Sequence, residues 1–369
     1  MKKILIYLGI VLICLAIGCF GMYFYISKHP ATFQKIITKS EKKVKIDDTG
    51  ISEAVDKIYD SVVTVSTFKN ATSYASGTGF VFKNSGDIAY ILTNAHVIKN
   101  ADEVFVTFTN GTNEKAEIIG SNTMADIAVL SVSSDKVISY AEIGSSEKSK
   151  IGDTVFAVGA PVNSAYSWTV TRGILSGKDR LVEVSSSDVT SRSLYNDSYM
   201  MNVIQTDAAI NSGNSGGPLA NGNGEVIGIT SLKLVSSGVE GMGFAIPIET
   251  AIKYADKIIN KEEIITPYIG ISMLNINEAY YYREFRSIVE ESKLEKGVVI
   301  ASVEDGSPAA KAGLKQGDII TKIDGDDSKS IAYLRYVLYK HEVGDKIKIT
   351  YLRNNKETSV TVTLSKNKS

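Results

Sequence analysis

A serine hydroxyl is a weak nucleophile until a base takes its proton, so a reactive serine needs a histidine and a group to orient it. Ser215 lies in Gly213-Asn214-Ser215-Gly216-Gly217-Pro218. A Gly-x-Ser-Gly-Gly string arises by chance in roughly 1% of chains of this length at average residue frequencies. A plain glycine turn between strands explains the glycines but asks for nothing else. Two further residues ask for more. His96 stands in Thr93-Asn94-Ala95-His96-Val97, after the run Tyr90–Leu92, and Asp126 opens Asp126-Ile127-Ala128-Val129-Leu130. Each alone reads as an ordinary strand-end residue or turn cap. Their order, histidine then aspartate then serine with gaps of about 30 and 90 residues, is one of three unrelated orders in which such triads occur. The implied chemistry is acyl transfer, with Ser215 attacking, His96 moving the proton and Asp126 fixing the imidazole tautomer.

The rest of the composition narrows the alternatives. The chain has 369 residues, enough for two or three cored domains, and 40 basic against 41 acidic side chains. That balance argues against a general nucleic-acid binder. Cys14 and Cys19 both fall within the first twenty residues, and the three histidines are His29, His96 and His341. Beyond residue 19 there is no thiol for a disulfide framework or a cysteine-ligated zinc site, and no metal or cofactor is expected.

These residues must be held by β structure. From Ser61 the chain runs in short β-branched and aromatic stretches, among them Val62–Val65, Phe80–Phe82, Val104–Phe108, Thr154–Val158, Val203–Thr206 and Val226–Thr230. Such spacing, without helices long enough for crossovers, predicts an all-β sandwich or barrel. Ile248 to Ile259 has helical spacing and predicts a domain-closing helix, and Ser52 to Tyr59 predicts a short helix capped by Ser52. Lys178 to Met201, serine-rich and weakly periodic, predicts a long loop of functional kind.

At the amino terminus, Lys2 and Lys3 precede an uncharged run from Ile4 to Ile26. As a helix this run measures roughly 34 Å, enough for a hydrocarbon core of about 30 Å. Tyr7, Tyr23 and Tyr25 sit near its ends, where amphipathic rings favour the interface. An uncleaved transmembrane anchor (1–27) with a linker (28–50) is the expectation. A cleaved signal, with an apolar region of about 7–15 residues, and lipid attachment at Cys19 are its alternatives.

The motifs support a named resemblance. Thr93–Val97, Asp126–Leu130, Thr206–Asn211 and Gly213–Pro218, with Ser76-Gly77-Thr78-Gly79-Phe80 and Gly243–Pro247, resemble the HtrA/Deg family of chymotrypsin-fold serine proteases across residues 51 to 366. Ser212 departs from the proline or arginine of many members. The resemblance implies a mainly β chain: a chymotrypsin-like double β-barrel (51–262), then a small α/β PDZ domain (263–369), with the transmembrane helix before both. It implies an oxyanion hole at Gly213, Asn214 and Ser215, and a substrate pocket lined by Ala209, Ile210, Thr230, Ser231 and Leu232. Ala209 stands where trypsin-like pockets carry an aspartate, so cleavage after small or medium apolar residues is expected.

In the last hundred residues, Ser307-Pro308-Ala309-Ala310-Lys311-Ala312-Gly313-Leu314 fits a short helix with Ser307 as cap and Pro308 at its first position. With Tyr268–Ile271 and Gly317–Ile320 it resembles a bacterial PDZ domain. The resemblance makes Tyr268, Ile269, Gly270 and Ile271 the loop that receives a peptide C-terminus, with Ile331 to Tyr339 as the groove's other wall. Implied partners are misfolded or damaged exported proteins, peptide C-termini and two further copies in a homotrimer; nucleic acid is not among them. The implied location is the cytoplasmic membrane, single-pass, with both domains outside, in protein quality control and stress response. The alternatives are a chaperone-like or scaffolding peptide binder with vestigial proteolysis, and a site-specific signalling protease.

Overall fold

The short β-branched runs close into two barrels of six strands each. The computed structural model describes residues 2–28, 50–160, 168–184, 198–231 and 241–366, in two units, Met1–Thr49 and Gly50–Ser369. The first unit contains helix α1 (Lys2–Lys28). Among the described residues no helix is long and apolar enough to cross a membrane, so a span over Ile4–Ile26 rests on its sequence.

The second unit opens with α2 (Gly50–Tyr59). It starts two residues before the expected Ser52, which therefore sits inside the first turn and does not cap it. The first barrel has β1 (Val62–Lys69), β2 (Thr72–Ser85), β3 (Ile88–Thr93), β4 (Glu103–Thr107), β5 (Asn113–Asn122) and β6 (Ile127–Ser133), in the order β1-β2-β3-β6-β5-β4. A single turn, α3 (Ala95–Ile98), follows β3 and carries His96. The second barrel has β7 (Thr154–Gly159), β8 (Thr169–Val184), β9 (Tyr199–Thr206), β10 (Pro218–Asn221), β11 (Val226–Thr230) and β12 (Gly243–Pro247), in the order β10-β11-β12-β9-β8-β7.

Both ends of the expected loop over Lys178–Met201, residues 178–184 and 199–201, are strand. β8 and β9 pair from Leu175 opposite Thr206 to Val184 opposite Tyr199, with bulges on either side of Gly177. Polar residues on the outward face of a bulged ribbon hide the period of two, which is why composition misled. Residues 185–197 lie outside the described residues.

One apolar cluster joins the barrels. Val62, Phe80, Leu92, Ile127 and Val129 of the first pack with Phe156, Val158, Val203, Ile229 and Ile246 of the second. Helix α4 (Ile248–Ile259) closes it with Ile248, Ala251, Ala255 and Ile258, while Ile252 and Ile259 of the stripe read from the sequence are partly buried beside them. Burying an aliphatic or aromatic side chain here contributes about 1.5–3 kcal/mol, so the cluster sets one barrel firmly against the other. Each barrel also has its own interior, around Val65, Ile91 and Leu130 in the first and Val155, Leu219 and Ile227 in the second.

The carboxy-terminal region has a six-stranded sheet built on β14 (Ile271–Asn275), β15 (Val298–Val303), β16 (Ile319–Ile323), β18 (Lys346–Arg353) and β19 (Lys356–Thr363). Its β17 (Asp326–Asp327) pairs with β16, and a separate ribbon joins β13 (Pro267–Tyr268) to β20 (Ser365–Lys366). Four helices pack here: α5 (Ile276–Ala279), α6 (Arg286–Ser292), α7 (Pro308–Lys311) and α8 (Ile331–Leu338). The Ser307 hydroxyl caps α7 by accepting from the Ala310 amide, with Pro308 at the first position. Strand β14 ends the ladder, leaving one edge for another strand.

Candidate active site

The acid is the most constrained of the three expected catalytic groups. Asp126 precedes β6 with φ +54° and is 1% exposed. Burying a carboxylate is expensive unless donors surround it, and here they do. The His96 backbone N–H donates to Oδ1 (3.0 Å), and the His96 ring Nδ1 lies 2.9 Å from Oδ1 and 2.8 Å from Oδ2. The Ser231 hydroxyl donates to Oδ2 at 3.0 Å. The Asp126 carbonyl accepts from the Ala95 amide (3.2 Å) and the Asn94 side chain (2.9 Å). The turn before β6 is thereby stitched to α3. An ionised carboxylate only accepts, so Nδ1 carries the proton and Nε2 is left as the basic nitrogen.

Ser215 sits on the loop between β9 and β10 and is buried. Its carbonyl accepts from the Thr78 amide of β2 at 2.9 Å, which ties the Ser215 loop to the first barrel. Gly77 marks how close the two sides come. A Cβ there would lie 2.8 Å from Val97, the residue after His96, and 2.9 Å from the Ser215 carbonyl. Gly213 has φ +107°, a conformation that favours glycine. Asn214 spends both nitrogens inside the loop, its amide on the Asn211 carbonyl (3.0 Å) and its side chain on the Ala209 carbonyl (3.2 Å).

The expected pocket residues divide. Ala209 is exposed, and its carbonyl also accepts from the Thr171 hydroxyl at 2.9 Å. Ile210 is buried in the second barrel's interior cluster and lies close to Gly243, where a Cβ would come within 2.6 Å of its Cγ1. Thr230 and Ser231 are both fully buried and turn their hydroxyls elsewhere. Thr230 donates to the Asn214 carbonyl (2.6 Å) and the Gly217 carbonyl (3.1 Å), and Ser231 to Asp126. Both hydroxyls are thus engaged, one by the Ser215 loop and the other by Asp126. Leu232 lies outside the described residues.

The segment Tyr268–Ile271 bends from β13 into β14. Gly270 has φ +79°, and a Cβ there would lie 2.2 Å from that of Ser307, so no other residue fits. The Ile269 carbonyl accepts from Ala309 (2.9 Å), the Gly270 carbonyl from Glu304 (3.0 Å), and the Tyr268 hydroxyl bonds the Glu304 carboxylate. With its carbonyls engaged behind it, the loop stands at the head of the open β14 edge, across from α8. Among the described residues no group of three or more histidine, cysteine, aspartate or glutamate side chains is placed to hold a metal ion.

Two orthodox six-stranded barrels with an Asp-His couple and a glycine-flanked serine between them, followed by a small α/β domain, define the chymotrypsin class of serine peptidase with an appended peptide-binding module. Comparison with known proteins agrees. Residues 77–229 match a trypsin-like peptidase domain and residues 267–364 a PDZ domain. The chain is 38% identical over 334 residues to the serine protease Do-like HtrB of Bacillus subtilis, covering 86% of this chain and 71% of that protein. It is 39% identical to the serine protease Do-like HtrA of Lactobacillus helveticus, over 86% and 76% of the two chains. Among solved structures, a serine endoprotease from Yersinia pestis aligns with a TM-score of 0.62 at 30% identity, covering 86% of this chain and 98% of that one. A peptide complex of the HtrA-type protease AlgW aligns with a TM-score of 0.62 at 27% identity, over 86% and 97%. The chain belongs to the HtrA family of serine proteases, and it is a serine endopeptidase.

Sequence reasoning placed Ser231 in the substrate pocket and missed its hydrogen bond to Asp126. Ser231 lies 105 residues from Asp126 in the chain, and no local pattern announces such a partner.

Proposed function

We propose that His96, Asp126 and Ser215 carry the peptide hydrolysis. Ser215 Oγ attacks the scissile carbonyl carbon while His96 Nε2 accepts its proton, and the carbonyl π pair moves onto oxygen. The imidazolium then protonates the leaving amine as the C–N bond breaks, giving an acyl-enzyme. Water repeats the cycle and releases the acid. Asp126 holds the imidazole in the tautomer with the proton on Nδ1 and stabilises the imidazolium. The observation that carries this reading is the two-oxygen contact of Asp126 with His96 Nδ1, at 2.8 and 2.9 Å, on a carboxylate that is 1% exposed. The Gly213 and Ser215 amides are the oxyanion donors, whereas the Asn214 nitrogens support the loop. A peptidyl phosphonate, which labels only an activated serine, tests the assignment. It adds its mass to the peptide containing Ser215 in the parent and to nothing in His96→Ala; labelling elsewhere contradicts the triad.

The substrates we assign are misfolded or damaged exported proteins, cut after small or medium apolar residues. In support, Ala209 offers no carboxylate for a basic side chain. The Tyr268–Ile271 loop and the open β14 edge receive peptide C-termini by strand addition, in line with the peptide complex of AlgW. The uncharged run Ile4–Ile26 supports anchoring in the cytoplasmic membrane with both domains outside, as does the exposure of Ile13, Leu15, Ile17, Phe20 and Phe24 on α1. Family membership supports assembly as a trimer.

A further inference from the structure

Thr78 is fully buried in the middle of β2, and both its hydroxyl and its amide donate to the loop that carries Ser215. Its hydroxyl donates to the Gly213 carbonyl at 2.5 Å and accepts from the Ala160 amide at 2.8 Å. Its own amide donates to the Ser215 carbonyl at 2.9 Å. Its carbonyl accepts from the Thr93 hydroxyl at 2.7 Å and lies 2.2 Å from where a Cβ on Gly216 would be. Because Ala160 N–H occupies one lone pair of Oγ1, the hydroxyl proton is aimed at Gly213, and a chain from Ala160 through Thr78 to Gly213 polarises in one direction.

This matters because of what the Gly213–Ser215 backbone has to do. In a trans peptide the C=O and the following N–H point opposite ways. Holding each carbonyl therefore aims the next amide. The Gly213 carbonyl is held by Thr78 Oγ1, the Asn214 carbonyl by Thr230 Oγ1 at 2.6 Å, and the Ser215 carbonyl by Thr78 N–H. The clamp on Asn214 O aims the Ser215 amide, and the clamp on Gly213 O, with the Asn214 amide held by the Asn211 carbonyl at 3.0 Å, fixes the peptide plane that follows Gly213, a residue with φ +107°. A strand of one barrel thus sets the conformation of a loop in the other across 135 residues of chain.

We propose that the Thr78 hydroxyl is a positioning group for catalysis, which holds the Gly213 carbonyl so that the loop's amides meet the developing oxyanion. The proposal rests on Ser215 being the nucleophile and Gly213 an oxyanion donor. It acts through the transition state: substrate binds alongside the loop, but only the tetrahedral oxyanion needs the amides aligned.

The full chain in detergent tests it with Thr78→Ser and Thr78→Ala, which lose the same methyl group and differ only in the hydroxyl. Thr78→Ala is expected to lower kcat about 10- to 100-fold relative to Thr78→Ser, the size of loss a displaced catalytic geometry brings, with KM nearly unchanged. The Ki of a peptidyl boronate, a tetrahedral-state mimic, rises by a similar factor. The Kd of the uncleaved peptide, measured in a Ser215→Ala background, stays the same for both. Equal kcat for the two variants overturns the proposal. So does an equal weakening of boronate and uncleaved peptide, because that marks general loosening. Undiminished cleavage by Ser215→Ala alone removes the underlying triad reading, and this control keeps the two failures apart.

Discussion

Asp126 takes hydrogen bonds from three donors, the His96 amide, the His96 ring and the Ser231 hydroxyl. The His96 amide and Ser231 hydroxyl hold the carboxylate in place, while the ring Nδ1–H uses it to set the tautomer. Asp126→Asn keeps the shape but offers an amide in place of an oxygen, so the tautomer reverses. We expect kcat to fall by roughly 10⁴ with KM little changed, read from steady-state cleavage of a peptide. Ser231→Ala removes one donor of three and is expected to lower kcat about tenfold, the effect of one charge-assisted hydrogen bond. A KM-only effect would place Ser231 back in the substrate pocket. Nearby, burial and then the negative charge of Asp126 push the Tyr199 phenol well above its ordinary range, so it stays neutral and is no rival base. The pairing of His96 with Asp126 was legible because the residue types and their order with Ser215 suggest it. The hydroxyls of Thr78, Thr230 and Ser231 were not, since threonine and serine fit any strand and their partners come from barrel closure.

Between residues and whole molecule, the elements differ in how plainly the sequence announces them. Helix α4 follows its apolar stripe to the residue, Ile248 to Ile259, because helical periodicity is a long, redundant signal. The β8–β9 ribbon was hidden by its bulges and by a polar outward face. The first turn of α4 is anchored by Glu249, which accepts from the hydroxyls of Ser145 (2.7 Å) and Ser146 (2.5 Å). Burial raises its carboxyl, but these hydrogen bonds outweigh burial and hold it below the usual carboxylate value. A depressed folded-state pKa stabilises above the unfolded value and is lost as pH falls through the folded one. The Ser145→Ala, Ser146→Ala double variant should therefore melt lower than the parent near neutral pH, and the gap should narrow in acid. Melts followed by circular dichroism across that range check it; a gap independent of pH contradicts it. In the PDZ domain, Gly270→Ala meets both a positive φ and the Ser307 side chain at 2.2 Å. It should abolish binding of a fluorescent C-terminal peptide while leaving labelling of Ser215 intact, since the two loops belong to different folding layers.

At the scale of the whole molecule, the two barrels share one apolar cluster, so the catalytic groups of one side keep a fixed relation to those of the other. The placement of the motifs was legible from their order: His96 and Asp126 on the first barrel, Ser215 on the second, the PDZ domain after both. What composition could not give is the closure of each barrel, which depends on strand order. If α1 is an anchor, the chain without residues 1–28 should leave the membrane fraction for the soluble one yet retain proteolysis; retention at the membrane would assign attachment elsewhere. The most direct test of the central claim is digestion of an unfolded model protein by the full chain in detergent, with Ser215→Ala beside it. The account predicts time-dependent fragments from the parent alone, with cut sites after small or medium apolar residues. Equal digestion by both proteins, or none by a folded parent supplied with PDZ-binding peptide, would contradict it.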